Sequence, residues 1–123
     1  MQGRRLWVVQ NFVRKISEFR FSDNSFSSAT LQKEIATPSD NTFTTAKYVG
    51  GRLLTVDSQF GQPTPNPAED RVMAIDPEQP QDQDAFFDLP ASAVDTQLEG
   101  IDYNPRTGYF YVSGINDGGN VYR

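Results

Sequence analysis

EGIDYNPRTGYFYVSG, residues Glu99 to Gly114, reads as two short strands around a tight turn. Asn104-Pro-Arg-Thr-Gly108 supplies the turn: proline fixes φ, and glycine accepts φ > 0. A glutamate stands at the head of the first strand, immediately before a glycine. TTAKYV (Thr44–Val49) and RLLTVDS (Arg52–Ser58) flank a Gly-Gly pair in the same manner. The fold follows from how often this outline recurs.

It recurs throughout. RLWVVQN (Arg5–Asn11), KISEFRF (Lys15–Phe21), ATLQKEIA (Ala29–Ala36), TTAKYVG (Thr44–Gly50) and RLLTVDS (Arg52–Ser58) are short, mostly alternating runs of strand length. RVMAIDP (Arg71–Pro77), DAFFDLP (Asp84–Pro90), EGIDYNP (Glu99–Pro105), YFYVSGI (Tyr109–Ile115) and NVYR (Asn120–Arg123) complete the series. Turn signals separate them: SDNS, TPSDN, GG, NPRTG and NDGG. No segment holds a helical period for three turns, so the expected class is all-β.

Three segments resemble one another: LWVVQN, LLTVDS and FYVSG. Aligned on Val9, Val56 and Val112, they step by 47 and then 56 residues. A second strand follows each, and a third follows the first two; TTAKYV or EGIDYN precedes the later two. With strands lettered a to d, the chain reads b-c-d, a-b-c-d, a-b-c. That is the order of a β-propeller, whose four-stranded meanders repeat at roughly 40–50 residues. SQFGQPTPNPAED (Ser58–Asp70) lengthens one connection, and its prolines exclude a central strand. Residues 1–123 thus read as one partial propeller domain of about two and a half blades, against four to eight in a closed ring. Open strand edges of such a piece favour self-association. Beginning at strand b and ending at strand c favours a fragment over a designed unit.

Composition narrows the chemistry. The chain has 123 residues, a 37% hydrophobic share, and nine Phe, five Tyr and one Trp for core material. Its formal charge of −5 comes from 11 basic and 16 acidic residues. The basic residues are scattered, which argues against a nucleic-acid partner. No Cys and no His are present. Disulfides, thiolate and imidazole metal ligands, and Ser-His-Asp or Cys-His catalysis are therefore excluded. The compartment stays open. No apolar run reaches membrane-span length, so no membrane partner is expected. MQGRRLWVVQN lacks the pattern of a signal peptide.

TQLEGIDYNPRTGYFYVSGINDGGNVYR (Thr96–Arg123) resembles the opening blade of the SMP-30/gluconolactonase/LRE-like six-bladed propellers. There a Glu-Gly pair opens the innermost strand, followed by a D-x-x-x-G turn and a Y-V-(S/A) strand. RLWVVQNFVRKISEF and TTAKYVGGRLLTVDSQFG, within Arg5–Gly61, are similar to closing blades of the same group. The resemblance implies metal-dependent hydrolysis of a lactone or ester, with one divalent ion (Ca²⁺, Mg²⁺, Mn²⁺ or Zn²⁺) held by oxygen ligands on the propeller axis. Only Glu99 matches a family ligand, with Gly100 beside it as the close-approach glycine. The equivalent position in the other blade is Thr44, a poor replacement. The isolated chain is therefore expected to be inactive. A non-catalytic propeller scaffold is the alternative, because propellers host many functions.

Asp57 and Asn11 end their strands and are further candidates for the channel mouth. Both residue types also cap strand ends with turn-forming side chains. Asp117-Gly118-Gly119 reads as a hairpin turn rather than a calcium loop, since it lacks the EF-hand spacing. DPEQPQDQD (Asp76–Asp84) reads as a solvated connection. Phe86, Phe87, Tyr109, Phe110 and Tyr111 read as packing between blades.

Overall fold

The computed structural model describes residues 3–37, 42–60, 62–64, 66, 69–88, 98–114 and 121–123. The class is all-β, as the sequence implies. Among the described residues, ten strands form three antiparallel sheets, none of them closed on itself. The first sheet holds β1 (Arg5–Gln10), β2 (Lys15–Phe21) and β3 (Ala29–Ala36) in chain order. The second holds β4 (Thr42–Val49), β5 (Arg52–Ser58), β6 (Arg71–Asp76) and β7 (Gln79–Asp88), again in order. The third holds β8 (Leu98–Asn104), β9 (Tyr109–Gly114) and β10 (Val121–Tyr122). The Asp117-Gly118-Gly119 turn lies outside the described residues.

The connections follow turn chemistry. Gly50 and Gly51 both have positive φ, 58° and 87°, in the two-residue turn from β4 to β5. Two consecutive left-handed residues match the twist of a tight hairpin, and glycine adopts them without steric cost. Between β8 and β9, the Asn104 carbonyl accepts the Gly108 N–H at 2.9 Å, and Asn104 Oδ1 accepts the Arg106 N–H at 3.0 Å. One expected connection is instead a strand. Only Pro77 and Glu78 separate β6 from β7, so most of DPEQPQDQD is strand. β7 is an edge strand, which tolerates Pro80 because one row of its backbone groups needs no partner.

The second sheet is buried on both faces. Leu53, Met73 and Ile75 pack toward the first sheet with Phe43, Ile16 and Ile35; Trp7, Val9 and Tyr48 complete that core. Leu54, Val56, Val72 and Ala74 pack toward the third sheet with Leu98 and Val112, joined by Val49, Phe87, Ile101, Phe110 and Tyr122. Neighbouring residues of β5 thus serve opposite cores, as the period of two requires. This explains why β5 and β6 read as nearly continuous apolar runs while β2 alternates. Of the aromatics expected in the core, Phe87 and Phe110 are there. Phe86 and Tyr109 stay about half exposed, and Tyr109 lies under the Arg123 guanidinium instead.

A polar clamp joins the first sheet to the second. Arg5 Nε donates to Glu18 Oε1 at 2.8 Å, and Arg5 Nη2 donates to Glu18 Oε2 at 3.1 Å and to Glu78 Oε1 at 2.5 Å. Trp7 Nε1 donates to Glu18 Oε2 at 3.2 Å, and Lys33 Nζ lies 3.5 Å from the same oxygen. Lys33 also donates to the Pro77 carbonyl across the interface. The Trp7 ring is stacked on Tyr48 at 4.9 Å, with the Arg5 guanidinium on it at 4.8 Å. Burial pushes the Glu18 carboxyl up, but the hydrogen bonds from Arg5, the charges of Arg5 and Lys33 and the Trp7 indole outweigh it. The net effect holds Glu18 below the usual glutamate value.

Two outcomes follow. Ile75→Ala, at a fully buried position, costs about 2–5 kcal/mol in a denaturant melt, whereas Val13→Ala, at 62% exposure, stays within about 0.5 kcal/mol. Because the folded Glu18 pKa is depressed, its contribution is complete above the ordinary carboxylate range and is lost as pH falls through the folded value. Unfolding followed by the fluorescence of the single tryptophan, Trp7, loses stability toward acid more steeply in the wild type than in Glu18→Gln. Equal slopes would contradict the clamp.

Candidate functional site

One end of the stack carries the heads of β4 and β8 and the tails of β1 and β5. All four residues singled out above lie there. They differ in what their side chains do.

Glu99 follows Leu98, whose side chain is fully buried in the second core. The register slips by one residue at this point: Leu98 faces Gly114, but Gly100 faces Ser113. The bulge turns Glu99 outward, where it is exposed. Among the described residues its carboxylate has no hydrogen-bond or ion-pair partner. Gly100 sits close to its neighbour: a Cβ there would stand 2.5 Å from Ser113 Oγ and would oblige that hydroxyl to rotate away.

Thr44 occupies the corresponding place in the second sheet. Phe43 faces Asp57, and the register slips by one residue before Ala46 faces Thr55. Phe43 and Leu98 are both buried against the preceding sheet. Thr44 Oγ1 donates to the Glu99 carbonyl at 3.3 Å, so the two matching strand heads touch. Three positions further on, Lys47 Nζ lies 2.7 Å from Asp102 Oδ1. The hydrogen bond from Lys47, with the Tyr103 N–H and the lysine charge, holds the Asp102 carboxyl below the usual aspartate range.

This correspondence corrects the alignment on valines. Val9 and Val56 each face the next sheet, but Val112 faces the preceding one. The residue matching Val56 is Ser113, one position along. A slip of one residue exchanges the two faces of a strand, so a match of residue type alone misleads.

Asp57 is engaged across its own sheet. It is fully buried, opposite Arg71 in register, and accepts from Arg71 Nε at 3.0 Å. Asn11 opens a short 3₁₀ turn, Asn11–Val13. Its Oδ1 accepts the Phe12 N–H at 2.9 Å and its carbonyl accepts the Arg14 N–H at 3.1 Å. That is a turn-forming role. So the structure brings Thr44 to Glu99, engages Asp57 with Arg71, and uses Asn11 in its own turn.

Sequence reasoning missed Ser58, Gln59 and Asp70, all buried. Ser58 Oγ accepts the Leu98 N–H at 3.1 Å and ties the tail of β5 to the head of β8. Gln59 Nε2 donates to Asp70 Oδ1 at 3.0 Å, and the Gln59 amide also exchanges hydrogen bonds with the Asn66 backbone. These bonds organise the long β5–β6 connection. No local pattern distinguishes such residues from ordinary loop polars.

The donor set does not make a metal centre on its own. Among the described residues, no three carboxylates cluster closely enough to hold an ion. Glu99 presents one exposed carboxylate, and Asp57 accepts from the Arg71 guanidinium. No protein-family model, curated protein or solved structure matches the chain.

Removing Arg71 takes away the guanidinium that donates to the buried Asp57 carboxylate. Fully buried pairs lose about 3–5 kcal/mol when one partner is deleted. Arg71 is 41% exposed, so Arg71→Met is expected to cost on the order of 2 kcal/mol. Asp57→Asn in that background recovers part of it, read by urea denaturation.

Proposed function

We propose that the chain is a wedge of a β-propeller, three successive blades ordered b-c-d, a-b-c-d and a-b-c across residues 1–123. The observation that carries this reading is the pair β4 and β8. They share a bulge at the same place, and matching residues touch: Thr44 with Glu99, Lys47 with Asp102. The first sheet fits the b-c-d lettering. Val9, Ile16 and Ile35 lie side by side across it, as Val56, Val72 and Phe87 do across the second, on the face toward the next sheet.

In this reading the wedge contributes architecture, plus one side chain, Glu99, to the axial end of a ring completed by further blades. Hydrolysis of a lactone or ester at a divalent metal would belong to the completed ring, and its support is the Glu-Gly resemblance at Glu99 and Gly100. The Thr44 hydroxyl and the Arg71-held Asp57 favour a binding scaffold for the chain by itself.

The test is hydrolysis of a simple lactone and of an aryl ester with Ca²⁺, Mg²⁺, Mn²⁺ or Zn²⁺ added, comparing wild type with Glu99→Gln. No metal-dependent turnover above buffer is expected from either. Turnover in the wild type that Glu99→Gln abolishes would overturn the scaffold reading of the isolated chain.

A further inference from the structure

We propose that two copies of this chain close head to tail, the backward face of the first sheet of one copy covered by the forward face of the third sheet of the other. This rests on the propeller reading and names what completes the ring. Within the chain, each backward face that has a sheet behind it is apolar: Phe43, Leu53 and Ile75 in the second sheet, Leu98, Phe110 and Val112 in the third. The backward face of the first sheet is apolar over the half nearest Leu6 and carries Gln10, Lys15, Ser17 and Glu34 over the other half. Trp7, Val9 and Ile16 point forward, so alternation puts Leu6, Val8 and Phe19 behind, and Leu31 lies opposite Phe19. Nothing among the described residues covers this face, and Val8 and Leu31 are 37% and 47% exposed.

The counterpart stands at the other end of the stack. In the third sheet Phe110, Val112 and Tyr122 point backward, leaving Tyr109, Tyr111 and Val121 forward. Tyr109 and Val121 are 48% and 59% exposed. Charge is compatible with the match, because most charged groups at these faces already have a partner, Arg123 lying on the Tyr109 ring. Lys15 and Glu34, on the backward face, meet at 2.5 Å, and Asp102, on the forward face, is held by Lys47. Docking therefore buries apolar area without stranding these charges. The contact continues the interface that joins the first sheet to the second and the second to the third. It is heterologous, so it closes or propagates according to the rotation between copies. Two copies supply six sheets, within the four to eight that close a propeller.

The experiment is sedimentation of the full chain across micromolar concentrations, with Trp7 fluorescence recorded on the same samples, for wild type, Val8→Asp and Val121→Asp. A discrete dimer is expected, and each substitution weakens it by about 30-fold or more while leaving Trp7 native-like. A wild-type monomer at all concentrations, an open-ended polymer, or a dimer indifferent to both substitutions overturns the proposal. If Trp7 is native-like in that monomer, the stacking of the first two sheets stands and only the association falls. If the wild-type Trp7 is solvent-exposed, the propeller reading falls with it.

Discussion

Two strands, β5 and β6, have no solvent face to spend. Leu53 and Ile75 are needed on one side, Leu54, Val56, Val72 and Ala74 on the other. A sheet with two apolar faces must be covered twice, and the first and third sheets are what cover it. Each burial of a large aliphatic side chain contributes about 1.5–3 kcal/mol before entropy is counted. The order of the three sheets, the seating of Trp7 against Tyr48 and the position of the strand heads all follow from that double demand.

The polar clamp around Glu18 acts differently from the cores. Its carboxylate is nearly buried, yet Arg5, Trp7 and Lys33 all come to it from its own sheet. The second sheet enters through Glu78 and the Pro77 carbonyl at the β6–β7 turn. Apolar packing would tolerate sliding between the sheets. The contacts that cross between them, Arg5 to Glu78, Lys33 to the Pro77 carbonyl and Trp7 stacked on Tyr48, tolerate much less and set the alignment, while the bidentate pair with Glu18 holds Arg5 in place to make them.

Much of the fold was legible from the residues. Strand number, strand order and most boundaries follow from alternation and from turn chemistry such as Gly50-Gly51. Where the reading missed, the reasons are physical. DPEQPQDQD looked like a loop because proline and charge oppose central strands, and an edge strand is exempt. Val112 was matched to Val56 because residue type was compared without parity, and a bulge or a longer turn changes parity unseen. At the strand heads the equivalence of Thr44 and Glu99 was legible, since a bulge on both strands keeps them in step. The burial of Asp57 was not, because it depends on Arg71 across the sheet and on the sheet packed in front.

The shared bulge also has an evolutionary consequence. On a regular strand, the identity of a head residue is coupled to the core through the alternation of faces. The extra residue after Phe43 and after Leu98 breaks that coupling. The position next to it can hold threonine in one sheet and glutamate in another while the anchor behind it stays apolar. Chemistry at the strand heads can therefore differ from one sheet to the next without disturbing the packing that keeps the sheets together.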